Sequence, residues 1–327
     1  MSRSNSQTGK LGHLGIYPHF YAIFPGAGYL FSYRHSFHAG NHADVLKHIC
    51  QMLIIDKLKS KDKGFVYIDT HSGAGVYDLD AAEAQKTLEY QQGIAQLAHY
   101  SGDNKAILAY QTLTAKYLKH DQYPGSPQIA HALLRPQDNL QLMEWHNQEV
   151  LNLRHNLRGN HIAIHHRDGN EGLVAITPPK PARGMVLIDP SYETPEDYHQ
   201  VVATLSKAYK KWPTGIYAIW YPLLLKRGSG ERNAQPQESF SGAISKQGKS
   251  QLMLEQLKMQ GFKNLLSVEL NVLDEKRDEG MYGSGMVIIN PPWQLDEQLR
   301  ACLQDLVPLL AQSPQAKGTV NWLIADE

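Results

Sequence analysis

Short runs of consecutive apolar residues recur along this chain, and several of them end on a polar residue. Runs that do not alternate with polar positions are typical of strands that are buried on both faces. Eight runs predict such strands: FVYID at 65–69, LQLME at 140–144, IAIHH at 162–166, MVLID at 185–189, IYAIWY at 216–221, LLSVEL at 265–270, MVIIN at 286–290 and VNWLI at 320–324.

Longer amphipathic segments lie between most of these runs and predict helices at 42–60, 148–159, 197–212 and 250–261. Strands that alternate with helices predict an α/β fold with a doubly wound, parallel sheet of the Rossmann-like type.

The segment between Asp69 and Glu144 is much longer than the ~20 residues that usually separate a glycine-rich turn from the next acidic residue of a nucleotide-binding unit. Its sequence is helix-forming, so we predict a small helical subdomain inserted at 77–125. The main domain then comprises 31–76 and 126–327. Residues 1–30 form an N-terminal extension, and the polar, glycine- and serine-rich segment 226–249 predicts a long loop.

Charge, cysteine content and hydropathy exclude several classes of protein. Lys and Arg total 32, as do Asp and Glu, so the net charge is zero and any nucleic-acid surface must be a local patch. Cys50 and Cys302 are too few and too far apart for a disulfide scaffold or a cysteine zinc site, and no metal is expected. The chain has no apolar run of ~20 residues and no clear signal peptide, so we expect a cytoplasmic protein.

Polar residues at strand ends are the first candidates for a site. In a doubly wound sheet, ligands bind outside the carboxyl ends of the strands. Asp69, Glu144, Asp168 and Asp189 follow four successive predicted strands. The alternative is that each of them only caps the helix that follows.

The stretch DTHSGAGVY at 69–77 predicts a cofactor-binding turn, because Gly73 and Gly75 let the backbone approach a ligand closely. The dinucleotide motif G-x-G-x-x-G is incomplete, since Asp78 stands at the third glycine position. S-adenosylmethionine carries no phosphates and tolerates this looser form. Glu144 suits the ribose hydroxyls of either NAD or S-adenosylmethionine, and Asp168 with Gly169 suits an adenine amine.

The stretch Asp189-Pro190-Ser191-Tyr192 separates these possibilities, because amino-methyltransferases use an Asp/Asn/Ser-Pro-Pro-aromatic element after the fourth strand. The Asp189 carboxylate and the Pro190 carbonyl are expected to accept the two N–H bonds of an adenine amine, and Tyr192 to stack on the extruded base. The similar stretch NPPW at 290–293 follows a late strand, and we interpret it as a rigid exit of the chain.

Seven segments, in order, resemble the RlmJ family of bacterial 23S rRNA adenine-N6 methyltransferases, and the resemblance runs from about residue 31 to the C-terminus. They are FSYRHSFHAGNHADVLKH (31–48), DTHSGAG (69–75), YPGSP (123–127), LQLMEWH (140–146), LIDPSYE (187–193), YAIWYP (217–222) and SGMVIINPPW (284–293). Ser191 departs from the family pattern, which has a second proline there.

The resemblance implies a class I methyltransferase sheet with a helical insertion. It also implies Asp189 as the catalytic acid, Tyr33 as an rRNA contact, and His35 and Lys47 in the same segment near the substrate. The implied S-adenosylmethionine contacts are His48, His71, Ser126, Glu144, Asp168 and Gly169. Other roles stay open: His48 is also compatible with a core histidine, and Ser126 with a helix N-cap.

The expected function is S-adenosylmethionine-dependent methylation of the N6 amine of an adenine in 23S rRNA. The expected partner is naked or early-assembly rRNA, because the adenine must leave its stack. We expect a monomer without a metal and without membrane association. The alternatives are a DNA adenine-N6 methyltransferase and a non-catalytic nucleic-acid-binding protein involved in the use of external DNA.

Overall fold

A mixed sheet of eight strands runs through the computed structural model, which describes residues 34–224, 248–275 and 280–325. Its strands are β1 (Val66–Asp69), β4 (Asn139–Glu144), β5 (Ile162–His166), β6 (Gly184–Ile188), β7 (Ile216–Leu224), β8 (Leu265–Asn271), β9 (Met281–Ile289) and β10 (Lys317–Ile324). Strands β2 (Val76–Asp78) and β3 (Gln122–Pro124) form a separate hairpin. All eight predicted strands are confirmed to within a few residues at their ends.

The helices of the described ranges flank this sheet. They are α1 (His42–Lys59), α2 (Ala82–Thr87), α3 (Lys105–Leu118), α4 (Ser126–Leu133), α5 (Asn147–Asn156), α6 (Gly169–Ile176), α7 (Pro195–Lys211), α8 (Lys249–Lys258) and α9 (Leu295–Leu310). Short 3₁₀ segments lie at His35–Phe37, Glu89–Gln92 and Ile94–His99. The four predicted helices correspond to α1, α5, α7 and α8.

The strand order is β10-β8-β9-β7-β6-β1-β4-β5. The strands from β5 to β7 are parallel, as predicted. The prediction of a fully parallel sheet is wrong for the other half, where β9 runs antiparallel to β7 and β8, and β10 antiparallel to β8. The connection from β8 to β9, residues 272–280, is too short for the crossover of a dozen or more residues that parallel strands need.

The chain order reverses at β1, which lies between β4 and β6. The chain passes from β1 outward to β4 and β5, and then returns to the other side of β1 to form β6. The carboxyl ends of strands at such a reversal border a crevice, which is the usual ligand position in this class of fold.

Helix α1 is almost entirely buried, because the sheet lies on one side and α3, α4 and α9 pack against it from others. Its buried positions include five polar side chains, His42, Asp44, Lys47, His48 and Gln51. Buried polar groups are costly unless they are paired, so these residues indicate a site that begins on α1.

The segment predicted as an inserted helical subdomain, 77–125, contains α2, two 3₁₀ segments and α3. The antiparallel hairpin β2–β3 closes its base, and α3 packs on α1. Its status as a separate subdomain stays a prediction. The extension at 1–30 lies outside the described residues, and so does the predicted loop at 226–249 apart from its last two residues. Within the described ranges, no helix combines the length and hydrophobicity needed to cross a bilayer.

Candidate active site

Three acidic side chains lie at one edge of the sheet, at the carboxyl ends of neighbouring parallel strands. Asp69 ends β1, Glu144 ends β4, and Asp189 directly follows β6. The registers place β1 between the other two strands. Burial lowers the pKa of His71, and the Asp189, Glu144 and Asp168 carboxylates partly oppose this shift. The predicted strand-end residues therefore share one edge of the sheet, where the His71 amide donates to Asp69 Oδ1 at 3.2 Å.

The glycine turn is built around the Glu144 carboxylate. Gly73 and Gly75 have φ angles of +59° and +81°, in the left-handed region that favours glycine. The Gly73 amide donates to Glu144 Oε2 at 2.7 Å, and the His146 amide donates to Oε1 at 2.7 Å. Burial raises the pKa of Glu144, although these two bonds oppose the shift. The carboxylate is thus fixed, and its remaining lone pairs suit ribose hydroxyls.

Asp168 and Gly169 bring α6 close to the turn that follows β1. Asp168 Oδ1 accepts from the Glu171 amide at 2.8 Å, so the helix-cap role is present. A Cβ at Gly169 would lie 2.0 Å from the Thr70 carbonyl oxygen, which explains the glycine. The family resemblance implies that Asp168 and Gly169 contact S-adenosylmethionine, and this contact stays a prediction. The pair lies at the same edge of the sheet as Glu144.

Asp69 is occupied by contacts within the chain. Its Oδ2 accepts from the Ser126 hydroxyl at 2.7 Å and from the Tyr67 hydroxyl at 2.9 Å. Burial raises the pKa of Asp69 to about 6, against the opposing effect of these bonds. Ser126 is the first residue of α4, and the N-cap position belongs to Gly125, so the N-cap role for Ser126 is wrong. The observed role of Ser126 is to tie α4 to β1.

His48 is a buried side chain with one unpaired ring nitrogen. Its Nδ1 hydrogen-bonds the Tyr123 hydroxyl at 2.8 Å and lies 3.3 Å from the Tyr110 hydroxyl. Burial lowers the pKa of His48 to about 3, so the ring is neutral. Among the described residues Nε2 has no hydrogen-bond partner, and it lies 4.0 Å from Asp44 Oδ1. The Nε2 atom is itself buried, and its contact with a cofactor stays a prediction.

Asp189 is held by a network that begins at the N-terminus of α1. Lys47 Nζ contacts Asp189 Oδ2 and also lies 2.8 Å from Asp44 Oδ1. Asp44 Oδ2 in turn bonds His35 Nε2 at 3.0 Å and accepts from the Gly40 amide at 2.8 Å. The two described residues that were predicted near the substrate, His35 and Lys47, are therefore linked to Asp189.

Charge pairing dominates this network. Burial would lower the pKa of Lys47, but the Asp189 and Asp44 carboxylates raise it above its usual value. Burial would likewise raise the pKa of Asp44, but His35 and Lys47 hold it well below its usual value. The sequence prediction did not include Asp44. Its spacing of three and four residues before Lys47 and His48 places all three on one helix face and was the available signal.

Tyr192 packs behind Asp189. It has a φ of +49°, its hydroxyl donates to the Trp220 carbonyl at 2.8 Å, and its ring centroid lies 4.3 Å from that of Tyr198. The residue is 2% exposed. Stacking of Tyr192 on a base stays a prediction, and the observed contacts give the ring a packing role. Pro190 is also buried.

The NPPW segment lies at the other edge of the sheet, because β9 is antiparallel to β7. Asn290 Nδ2 donates to the carbonyl oxygens of Pro213 and Gly215, each at 2.8 Å, and Trp293 is 82% exposed. These contacts close the turn before β7 and are remote from Asp189.

Tyr33, predicted as an rRNA contact, lies outside the described residues. Within the described ranges, no group of three or more His, Cys, Asp or Glu side chains could hold a metal ion.

Comparison with known proteins identifies the family to which the chain is related. The family model described as "Ribosomal RNA large subunit methyltransferase D, RlmJ" matches residues 62–324. The chain is 40% identical over 301 residues to Ribosomal RNA large subunit methyltransferase J of Escherichia coli (strain K12), across 91% of the chain and 100% of that protein. The namesake protein of Haemophilus influenzae is also 40% identical over 301 residues, covering 90% of the chain and 99% of that protein.

A solved structure agrees with this relationship. The crystal structure of a protein from Legionella pneumophila str. Philadelphia 1 is similar to the chain with a TM-score of 0.72 and 31% identity, and the match covers 87% of the chain and 98% of that protein. The family model spans most of the chain, and both relatives match nearly their whole length. The chain therefore belongs to the RlmJ family of ribosomal RNA large subunit methyltransferases.

Proposed function

We propose that this protein transfers a methyl group from S-adenosylmethionine to the N6 amine of an adenine in 23S rRNA. The observation that carries the proposal is the state of the Asp189 carboxylate. Lys47 holds its Oδ2 atom, and Oδ1 has no hydrogen-bond partner among the described residues. The side chain is 15% exposed at the ligand-binding edge of the sheet. One oxygen is thus fixed and the other is available to an amine.

Membership of a methyltransferase family requires a methyl donor, and the residues at this edge fit S-adenosylmethionine. Glu144 is preset to accept ribose hydroxyls by the Gly73 and His146 amides. The unpaired His48 Nε2 suits a polar atom of the amino-acid part. Asp168 and Gly169 border the position expected for the adenine. When bound, S-adenosylmethionine supplies an electrophilic methyl group on a sulfonium.

The residues around Asp189 then act on the acceptor amine. The lone pair of an adenine amine is delocalised into the ring, so the nitrogen must be oriented and polarised before it reacts. Asp189 Oδ1 accepts one N–H bond, and the Pro190 carbonyl is the expected acceptor of the second. After the nitrogen gains the methyl group it must lose one proton, and Asp189 Oδ1 is the nearest base in this arrangement.

The RNA must present an unstacked adenine, which favours naked or early-assembly rRNA as the substrate. The chain has no net charge, so backbone contacts depend on local basic segments. Residues 154–167 and 207–212, around the ends of α5 and α7, are the richest of these and would position the RNA without reading its sequence. We propose that the protein acts as a monomer.

Mass mapping of 23S rRNA tests the proposal in cells that lack the protein. A complementing wild-type copy should restore one methylated adenine, whereas Asp189→Ala should restore none. The purified Asp189→Ala variant should still bind S-adenosylmethionine in a calorimetric titration, because the proposed cofactor contacts are made by other residues. Asn290→Ala, in the similar motif at the opposite edge, is the matched control and should restore the mark. A mark restored by Asp189→Ala, or found on DNA only, contradicts the proposal.

A further inference from the structure

We propose that Asp44 is a positioning residue for this reaction: it anchors Lys47, and Lys47 in turn fixes the Asp189 carboxylate for the acceptor amine. This inference rests on the proposed function, because the acceptor amine belongs to that reaction. The dependence of the Asp189 orientation on Asp44 can be measured separately.

Asp44 is the most firmly held member of the network. The residue is 1% exposed, and its carboxylate has three partners within the segment 35–47. Oδ2 accepts from the Gly40 amide at 2.8 Å and bonds His35 Nε2 at 3.0 Å, and Oδ1 forms an ion pair with Lys47 Nζ at 2.8 Å. The two bonds to Oδ2 fix the carboxylate, so Asp44 offers the Lys47 ammonium a rigid anchor.

Asp189 has no comparable support of its own. It follows the last residue of β6 in irregular backbone. Among the described residues, the only hydrogen bond to its side chain comes from Lys47 Nζ. The orientation of the Asp189 carboxylate is therefore set by the Lys47 ammonium, and the position of the ammonium is set by Asp44.

The charges give a second reason for Asp44. A single ammonium beside Asp189 would neutralise that carboxylate and compete with the amine for its lone pairs. Here two carboxylates share one ammonium, so Asp189 keeps part of its negative charge for the amine. Such interactions are strong in a buried site, where water screens them poorly. Asparagine at position 44 would preserve the shape but leave the whole ammonium charge to Asp189.

A neighbouring carboxylate provides a matched control. Glu89 Oε1 hydrogen-bonds His38 Nδ1 at 2.9 Å, and Glu89 Oε2 accepts from Asn41 Nδ2 at 2.9 Å. Glu89 thus anchors the same stretch at the start of α1 as Asp44 does. Glu89 bonds neither Lys47 nor Asp189, so Glu89→Gln tests only how far the stretch before α1 depends on its anchoring.

The kinetic experiment measures methylation of an rRNA fragment by Asp44→Asn and Glu89→Gln, each in the wild-type and the Lys47→Met background. Loss of positioning should make Asp44→Asn lower kcat by about tenfold to a hundredfold. The KM for S-adenosylmethionine should change less than kcat, because Glu144 is held by the Gly73 and His146 amides, although His48, another proposed cofactor contact, lies beside Asp44. Glu89→Gln should leave both constants unchanged. With Lys47 already replaced, Asp44→Asn should change kcat by less than about twofold.

An equal loss of kcat in both backgrounds, or no loss in either, overturns the inference. Equal losses in Asp44→Asn and Glu89→Gln would do the same, since they would assign the effect to the fold of the stretch.

Crystal structures of Asp44→Asn and Lys47→Met test the positioning without an activity assay. In both variants the Asp189 carboxylate should leave its wild-type orientation, and in Lys47→Met the bonds of Asp44 to Gly40 and His35 should remain. An unchanged Asp189 in both variants refutes the positioning role whatever the rRNA assay gives. A displaced Asp189 in a protein whose wild type methylates no rRNA refutes the proposed function and leaves the positioning role intact.

Discussion

Lys47, in the second turn of α1, contacts Asp189, which lies 142 residues further along the chain. The Lys47 side chain is 5% exposed, so this ion pair is buried. Removing one partner of a buried pair costs far more than removing one partner of an exposed pair, because a charge is left without compensation. The pair therefore contributes to folding as well as to the site.

The first prediction is that Lys47→Met lowers the free energy of unfolding by about 3–5 kcal/mol. The buried Asp44 carboxylate and the partly buried Asp189 carboxylate would lose their shared cation. Urea unfolding at neutral pH measures the change. Lys258→Met is the control, because Lys258 pairs with Glu255 at 2.8 Å on the exposed face of α8 and should cost little. Equal costs for the two variants would contradict the buried-pair interpretation.

The second prediction concerns the stability of the folded protein at acidic pH. His35 and Lys47 hold the pKa of Asp44 well below its usual value of 3.8, against the effect of burial. A carboxyl with a depressed pKa stabilises the folded state above its unfolded pKa and loses that contribution as the pH falls through the folded pKa. The stability gap between wild type and Asp44→Asn should therefore be constant above about pH 5 and shrink below about pH 4. A gap that widens in acid would contradict the assigned pairing.

The strands could be predicted from sequence because runs such as MVLID and LQLME are buried on both faces and contain few polar residues. Their directions could not be predicted, since an apolar run has the same pattern in either direction. Strand β9 runs antiparallel because the connection from β8 is short. The length of that connection is known only once the end of β8 and the start of β9 are known.

The sequence indicates candidate site residues where a polar residue directly follows a predicted strand. Glu144 and Asp189 converge because parallel strands end at one edge, and that rule needs no knowledge of packing. Asp44 could have been found from its spacing to Lys47 and His48 on α1, whereas Tyr123 lies in the β2–β3 hairpin and contacts His48 because the insertion packs on α1. The role of Tyr123 depends on a contact between residues 75 positions apart in sequence, which no local pattern encodes.

The third prediction concerns Asp69, whose pKa is raised to about 6 by burial. Its folded pKa lies above its unfolded value, so the folded state binds more protons in this window and stability falls as the pH rises from about 4 to about 6. Relative to Asp69→Asn, the wild type should lose stability across this window and then level off. Urea unfolding at several pH values measures the difference.

Ser126→Ala sharpens the test of Asp69. The Ser126 hydroxyl bonds the ionised carboxylate at 2.7 Å and lowers its pKa. Its removal should raise the pKa of Asp69 further and extend the loss of stability above pH 6. Ser60→Ala removes a surface hydroxyl that bonds the Lys57 carbonyl and should leave the pH profile unchanged. Identical profiles for the two serine variants would mean that the Ser126 hydroxyl does not lower the pKa of Asp69.

The last prediction is that Tyr123→Phe weakens the binding of S-adenosylmethionine about fivefold to tenfold, the loss expected for one hydrogen bond. The Tyr123 hydroxyl bonds His48 Nδ1 at 2.8 Å, and this bond fixes the orientation of the ring on which the proposed cofactor contact of Nε2 depends. Calorimetric titration measures the dissociation constant. The matched control is Tyr117→Phe on α3, which removes a 2.7 Å bond from Gln128 and should leave the constant unchanged. Equal weakening in the two variants would mean that the hydroxyl only supports the insertion, and His48 would then lose its place among the proposed cofactor contacts.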